Sequence, residues 1–113
     1  MTATRAARWL PVVFWAALIF TFSSIPALGT GLGTWDLVLR KLAHFTEYAI
    51  LAVLLYRAIG RAPAALALAS LYAVTDEVHQ QFVSGRHASP LDWLIDTAGA
   101  AAGLAVYTRA VRR

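Results

Sequence analysis

The sequence predicts an all-α protein, a transmembrane four-helix bundle with both termini in the cytoplasm. Three observations carry that expectation. Of 113 residues, 59% are hydrophobic and only 14% charged, whereas soluble domains carry roughly 45–50% apolar and about 25% charged residues. From Trp9 to Trp35 there are 27 consecutive residues without a charge. The basic residues are also unevenly placed. With the N-terminus inside, Arg5, Arg8, Arg57, Arg61, Arg109, Arg112 and Arg113 all fall on the cytoplasmic side, as the positive-inside bias requires.

The length fits one domain over residues 1–113. The absence of cysteine excludes disulfides, a thiol nucleophile and thiolate metal ligands. The net charge of +4 is scattered in ones and twos rather than gathered in a stripe, which speaks against nucleic acid as a partner.

The first span is expected over about 9–25, since about 20 apolar residues cross a bilayer core. Pro26, Gly29, Gly31 and Gly33 then read as a loop. Arg5 and Arg8 ahead of an apolar run also fit a signal peptide, but no small-x-small cleavage site follows near Ala27. The second, third and fourth spans are expected over 36–56, 63–83 and 90–108. Each is long enough but charged at one end, and the uncharged stretch from Ala62 to Thr75 is only 14 residues. Pro63 and Pro90 suit first helical positions, with Ser89 as an N-cap and Asp92 where a carboxylate meets the helix dipole.

In this topology the polar residues fall at one depth. Ser23 and Ser24 close the outer end of the first span. Asp36, Arg40, Lys41, His44, Glu47 and Tyr48 occupy the outer half of the second, within an arc of roughly 140° at 100° per residue. Asp76, His79 and Gln80 share a face of the third, with Glu77 at its edge, and Ser89, Asp92, Asp96, Gly99 and Gly103 align within roughly 80° on the fourth. A lone charge at the centre of a spanning helix costs about 2.5–3.5 kcal/mol. These side chains are therefore expected to point into the bundle and pair, with Lys41 and Arg86 set against Asp76, Glu77, Asp92 and Asp96. The expectation is a polar cavity at the outer mouth. Gly99 and Gly103 form a G-x-x-x-G pair that admits a close neighbouring backbone, a route to oligomers as well.

The segments KLAHFTEYAILA, YAVTDEVHQQFVSGR and SPLDWLIDTAGAAAG, with FSSIP after the first span, resemble the VanZ-like family of small bacterial membrane proteins. The likeness covers nearly the whole chain, without an additional domain. It implies a four-helix, multi-pass protein of the cell membrane. The family's founding member is associated with resistance to the glycopeptide teicoplanin, and its molecular activity is poorly defined. The positions that match are Lys41, His44, Phe45, Tyr48, Asp76, Glu77, His79, Gln80, Arg86, Ser89, Asp92, Asp96 and Gly99.

Two site chemistries follow from these residue types. An anionic lipid or cell-wall-precursor head group, such as a polyprenyl phosphate, would meet Lys41, His44, Tyr48, Asp76, Glu77, His79, Gln80, Arg86, Ser89, Asp92 and Asp96, with Asp76 and His79 as candidate general acid or base. Fragments reminiscent of lipid phosphatases at Ser84–His87 and of phosphatidyl-group transferases are incomplete. The carboxylates and imidazoles are also enough for a divalent cation, but there is no HE-x-x-H, and neutralisation of Lys41 and Arg86 is the favoured role of the acids. No metal ligand set is assigned and no other cofactor is evident. Against both chemistries stands a non-enzymatic reading, in which the polar cluster is an ion-pair network that fixes helix register.

Overall fold

A computed structural model describes residues 4–24, 34–82 and 90–111, with the backbone alone over 34–37. Gly29, Gly31, Asp36 as a side chain, Arg86, His87 and Ser89 lie outside what is described. The described chain is all-α: α1 is Arg5–Ser24, α2 Thr34–Ile59, α3 Ala62–Gln80 and α4 Pro90–Val111.

The boundaries differ from expectation by about a turn, for local reasons. α1 begins at Arg5 rather than Trp9 because Thr4 Oγ1 accepts the Ala7 amide at 3.1 Å, an N-cap that draws both arginines into the helix. α2 runs to Ile59 and stops at Gly60, which takes φ +84° while its amide still reaches the Tyr56 carbonyl at 2.7 Å. Pro63 lies in the first turn of α3 as expected. α3 ends at Gln80, three residues early, and α4 continues beyond Thr108 to Val111.

Contacts fix the helix directions. On α2 and α4, Lys41 meets Asp92, the Phe45 backbone meets Gly99, the Ala49 backbone meets Gly103 and Tyr56 meets Tyr107. The numbers rise together, so the two helices run parallel. Tyr72 reaches the Ala16 carbonyl and His79 stacks on Phe20, so α1 and α3 are likewise parallel. The two-residue link at Gly60 and Arg61 turns α3 back along α2. α2 and α3 are central: each touches the other three helices, while α1 and α4 do not meet among the described residues.

Small residues make this packing tight. Ala65, Ala69 and Ala73 form a fully buried stripe on α3. They sit in the core with Val12 and Ile19 of α1, Leu51, Ala52 and Leu55 of α2, and Ala100 and Leu104 of α4. A Cβ at Gly99 would lie 2.2 Å from the Phe45 carbonyl oxygen, and one at Gly103 would lie 2.5 Å from that of Ala49. The close approach allowed by the glycine pair is thus made to α2 of the same chain.

The outside of the molecule is apolar. Leu10, Val13, Phe14, Phe20 and Phe22 of α1 are more than half exposed, as are Leu39 and Leu42 of α2, Leu71 of α3 and Leu91, Leu94 and Val106 of α4. α1 and the Val38–Ile59 part of α2 are long and apolar enough to cross a membrane. In α3 and α4 the polar residues at one end lower the composition below that mark.

Candidate functional site

The buried stripes that build the core change character at one end. On α3 the alanine stripe continues into Asp76, Glu77 and Gln80, all buried. On α4, Leu104 and Ala100 give way to Asp96, which is completely buried, and on α2 Leu55, Leu51 and Tyr48 lead up to His44. A polar layer thus caps the apolar core, because the helical repeat carries one inward face through both.

His44 is the hub of that layer. Its Nδ1 lies 3.6 Å from Asp96 Oδ1, 3.7 Å from Glu47 Oε1 and 3.9 Å from Asp76 Oδ2. All three separations exceed hydrogen-bonding distance. His44, Asp76 and Asp96 each offer one ligand atom such that all lie within 4.8 Å of one another. Tyr48, fully buried, donates to Asp76 Oδ2 at 3.2 Å, and Gln80 Nε2 donates to the same oxygen at 3.3 Å. Asp76 Oδ1 and both Asp96 oxygens have no hydrogen-bond partner among the described residues.

Lys41 sits toward the helix ends and forms an ion pair with Asp92, both side chains partly exposed. This pairing agrees with the expected neutralisation of Lys41 by an acid. It also leaves Asp76 and Asp96, expected to face Lys41 or Arg86, without a lysine or arginine within ion-pair distance among the described residues; the side chain that approaches both is the His44 imidazole.

His79 is oriented differently from Asp76. Its ring stacks on Phe20 at 4.2 Å with a 7° interplanar angle, and its Nε2 meets Ser24 Oγ at 3.2 Å, so it belongs to the α1 contact. Lys41, His44, Tyr48, Asp76, Gln80, Asp92 and Asp96 are brought into one layer from three helices, with Glu77 buried beside Asp76. Beside His44, a cavity of about 300 Å³ is lined by Phe22, Ser23, Arg40, Ala43, His44 and Glu47.

Arg40 and Glu47, expected on the polar arc of α2 but not named for the head-group site, line this cavity with His44. The signal was present: they lie four residues before and three after His44, and so on its helix face. Trp93 packs between α3 and α4, with its indole donating to the Ser70 carbonyl at 3.2 Å while Ser70 Oγ meets Thr97 Oγ1 at 3.0 Å. Phe82 is 82% exposed. Tyr56 and Tyr107 pack edge-to-face at 6.0 Å at the opposite end.

A family model described as VanZ/LLP1 matches residues 3–111. The chain belongs to the VanZ/LLP1 family. No curated protein and no solved structure matches it. Membership of a membrane-associated family agrees with the two helices able to cross a bilayer. The positions that match the VanZ-like pattern and fall in the described helices include Lys41, His44, Tyr48, Asp76, Glu77, Gln80, Asp92 and Asp96, the whole of this layer.

Proposed function

We propose that this VanZ/LLP1 protein is a four-span membrane protein with both ends of the chain in the cytoplasm, whose polar end opens to the outer face. That end receives the anionic head group of an envelope lipid or cell-wall precursor, a role that would connect the family to glycopeptide resistance. The observation that carries the reading is the segregation of charge along one axis. The His44 layer and the Lys41–Asp92 pair share one end, while Arg5, Arg8, Arg57, Arg61 and Arg109 share the other. The positive-inside bias then turns the polar end outward.

Burial supports the membrane part. A core helix of a soluble protein is mostly buried, but only 17% of the apolar window in α1 and 22% of that in α2 is buried. Apolar side chains exposed on all four helices suit a hydrocarbon solvent. An apolar groove of about 510 Å³ between α2 and α4, lined by residues such as Phe45, Ala49, Val53 and Val106, suits a lipid chain. For the head group, the cavity beside His44 offers the Arg40 guanidinium, the Ser23 hydroxyl and the imidazole, donors that match phosphate oxygens.

A second reading has its own support. The Lys41–Asp92 pair and the two donors on Asp76 are what a structural network fixing helix register would contain.

Two measurements test the proposal. The chain has no cysteine, so Phe82→Cys and Arg61→Cys each introduce a single thiol at opposite ends. A membrane-impermeant thiol reagent on intact cells should label the first and spare the second; the reverse pattern refutes the orientation. Native mass spectrometry should show polyprenyl phosphate retained by the parent chain and lost from Arg40→Gln, with the melting temperature nearly unchanged. Retention by Arg40→Gln, or equal retention of phosphatidylcholine, rejects the head-group site in favour of the structural network.

A further inference from the structure

We infer that His44, Asp76 and Asp96 form a binding site for a divalent transition-metal ion, of the zinc or manganese type. The ligand-atom spacing is the first support. Two ligands bound to one ion at about 2.1 Å in tetrahedral geometry stand about 3.4 Å apart. His44 Nδ1 stands 3.6 Å from Asp96 Oδ1 and 3.9 Å from Asp76 Oδ2, too far to hydrogen-bond and close to the separation of co-ligands. Glu47 Oε1, 3.7 Å from the same nitrogen, adds a carboxylate at the rim.

The second support is independent of the clustering. Asp96 is 0% exposed, and neither of its oxygens has a hydrogen-bond partner among the described residues. A buried carboxylate left without donors is costly, and buried charges are ordinarily paired or bound to metal. Asp76 is 4% exposed and is likewise short of a partner at Oδ1. One imidazole faces two buried carboxylates; a divalent cation balances them.

The surroundings suit a ligand set. Tyr48 and Gln80 both donate to Asp76 Oδ2, which fixes the carboxylate plane in the way that outer hydrogen bonds orient metal ligands. The donor set of one nitrogen and two or three carboxylate oxygens favours zinc or manganese over calcium, which takes six to eight oxygens. Three protein ligands leave a position for water or another ligand. His44 also lines the 300 Å³ cavity, so the ion would border the proposed head-group pocket. The metal assignment does not require that pocket to bind lipid.

The test uses the full chain in detergent, stripped with chelator and titrated with Zn²⁺ or Mn²⁺ alone. About one ion per chain should survive desalting, read by elemental mass spectrometry, and the melting temperature should rise with metal. Bound Mn²⁺ should show electron spin echo modulation from a coordinated nitrogen, absent in His44→Gln. Asp76→Asn and Asp96→Asn should each weaken binding at least about tenfold, the low end of the cost of losing a mere orienting partner. Ser70→Ala, on the α3–α4 contact outside the cluster, should bind as the parent does. Metal-free Asp96→Asn should melt no lower than the metal-free parent, because it replaces a buried carboxyl group whose oxygens have no hydrogen-bond donor among the described residues. Failure of the parent chain to retain an ion, or equal retention by both asparagine variants, overturns the assignment. No lipid enters this assay, so that result leaves the head-group reading standing.

Discussion

Substituting Gly99 by alanine should part the two helices on which the polar layer depends. The added Cβ would sit 2.2 Å from the Phe45 carbonyl oxygen and 2.9 Å from both its carbonyl carbon and Cα. The first of these is about 0.8 Å short of the closest approach that Cβ atoms ordinarily make. Every obstructing atom is backbone, so no rotamer change relieves the clash and α2 must move. Overpacking of a tight interface costs about 1–3 kcal/mol, and a backbone obstruction belongs at the upper end. Gly103→Ala, obstructed at 2.5 Å, should cost less. Gly99 lies one turn from Asp96, so the displacement would also stretch the 3.6 Å separation of Asp96 from His44. Reversible unfolding in mixed micelles measures the loss. Phe45→Ala should fail to rescue Gly99→Ala, because the Phe45 side chain is not the obstacle. Stability within about 0.5 kcal/mol of the parent, the scatter of a neutral surface substitution, would refute the reasoning, as would rescue by Phe45→Ala.

Other contacts give graded expectations. Tyr48→Phe removes a donor to Asp76 Oδ2 in a fully buried position and should cost about 1–3 kcal/mol in the same unfolding assay. Lys41 and Asp92 are 30% and 22% exposed as side chains, so a double-mutant cycle with Lys41→Gln and Asp92→Asn should give a coupling of only about 0.2–1 kcal/mol, falling with salt. Ser70→Ala and Thr97→Val break one interhelical hydrogen bond, and on the proposed four-span topology their cycle should give about 0.6 kcal/mol, the usual worth of such a bond between membrane helices.

The four helices were legible in the sequence because hydrophobic length, proline and glycine punctuation and arginine placement agree with one another. The shared depth of Lys41, His44, Asp76, Asp92 and Asp96 was legible too, since each residue lies at a known distance from a helix end. Which partner each side chain meets was not. The i, i+3 spacing puts Asp76 and His79 on one side of α3, but that helix touches three neighbours and its face is wide enough to send Asp76 toward α2 and His79 toward α1. Spacing likewise announced that Gly99 and Gly103 admit a close backbone, without saying whose. The three-residue cluster was hidden for a related reason: His44, Asp76 and Asp96 are distant in sequence and meet only through the packing of α2, α3 and α4 against one another. Arg86 and Ser89, expected in the same site, fall outside the described residues.

The order of the helices along the chain has a consequence for biogenesis. His44 and Asp76 emerge from the ribosome on the hairpin of α2 and α3, yet Asp96 arrives with the last helix. On the proposed four-span topology, the nascent hairpin must shelter a half-built polar patch in the translocon or against the headgroups until α4 docks. Synthesis arrested after residue 82 should therefore leave a protein that the membrane quality-control proteases destroy, while release of the finished chain lets α4 close the gap.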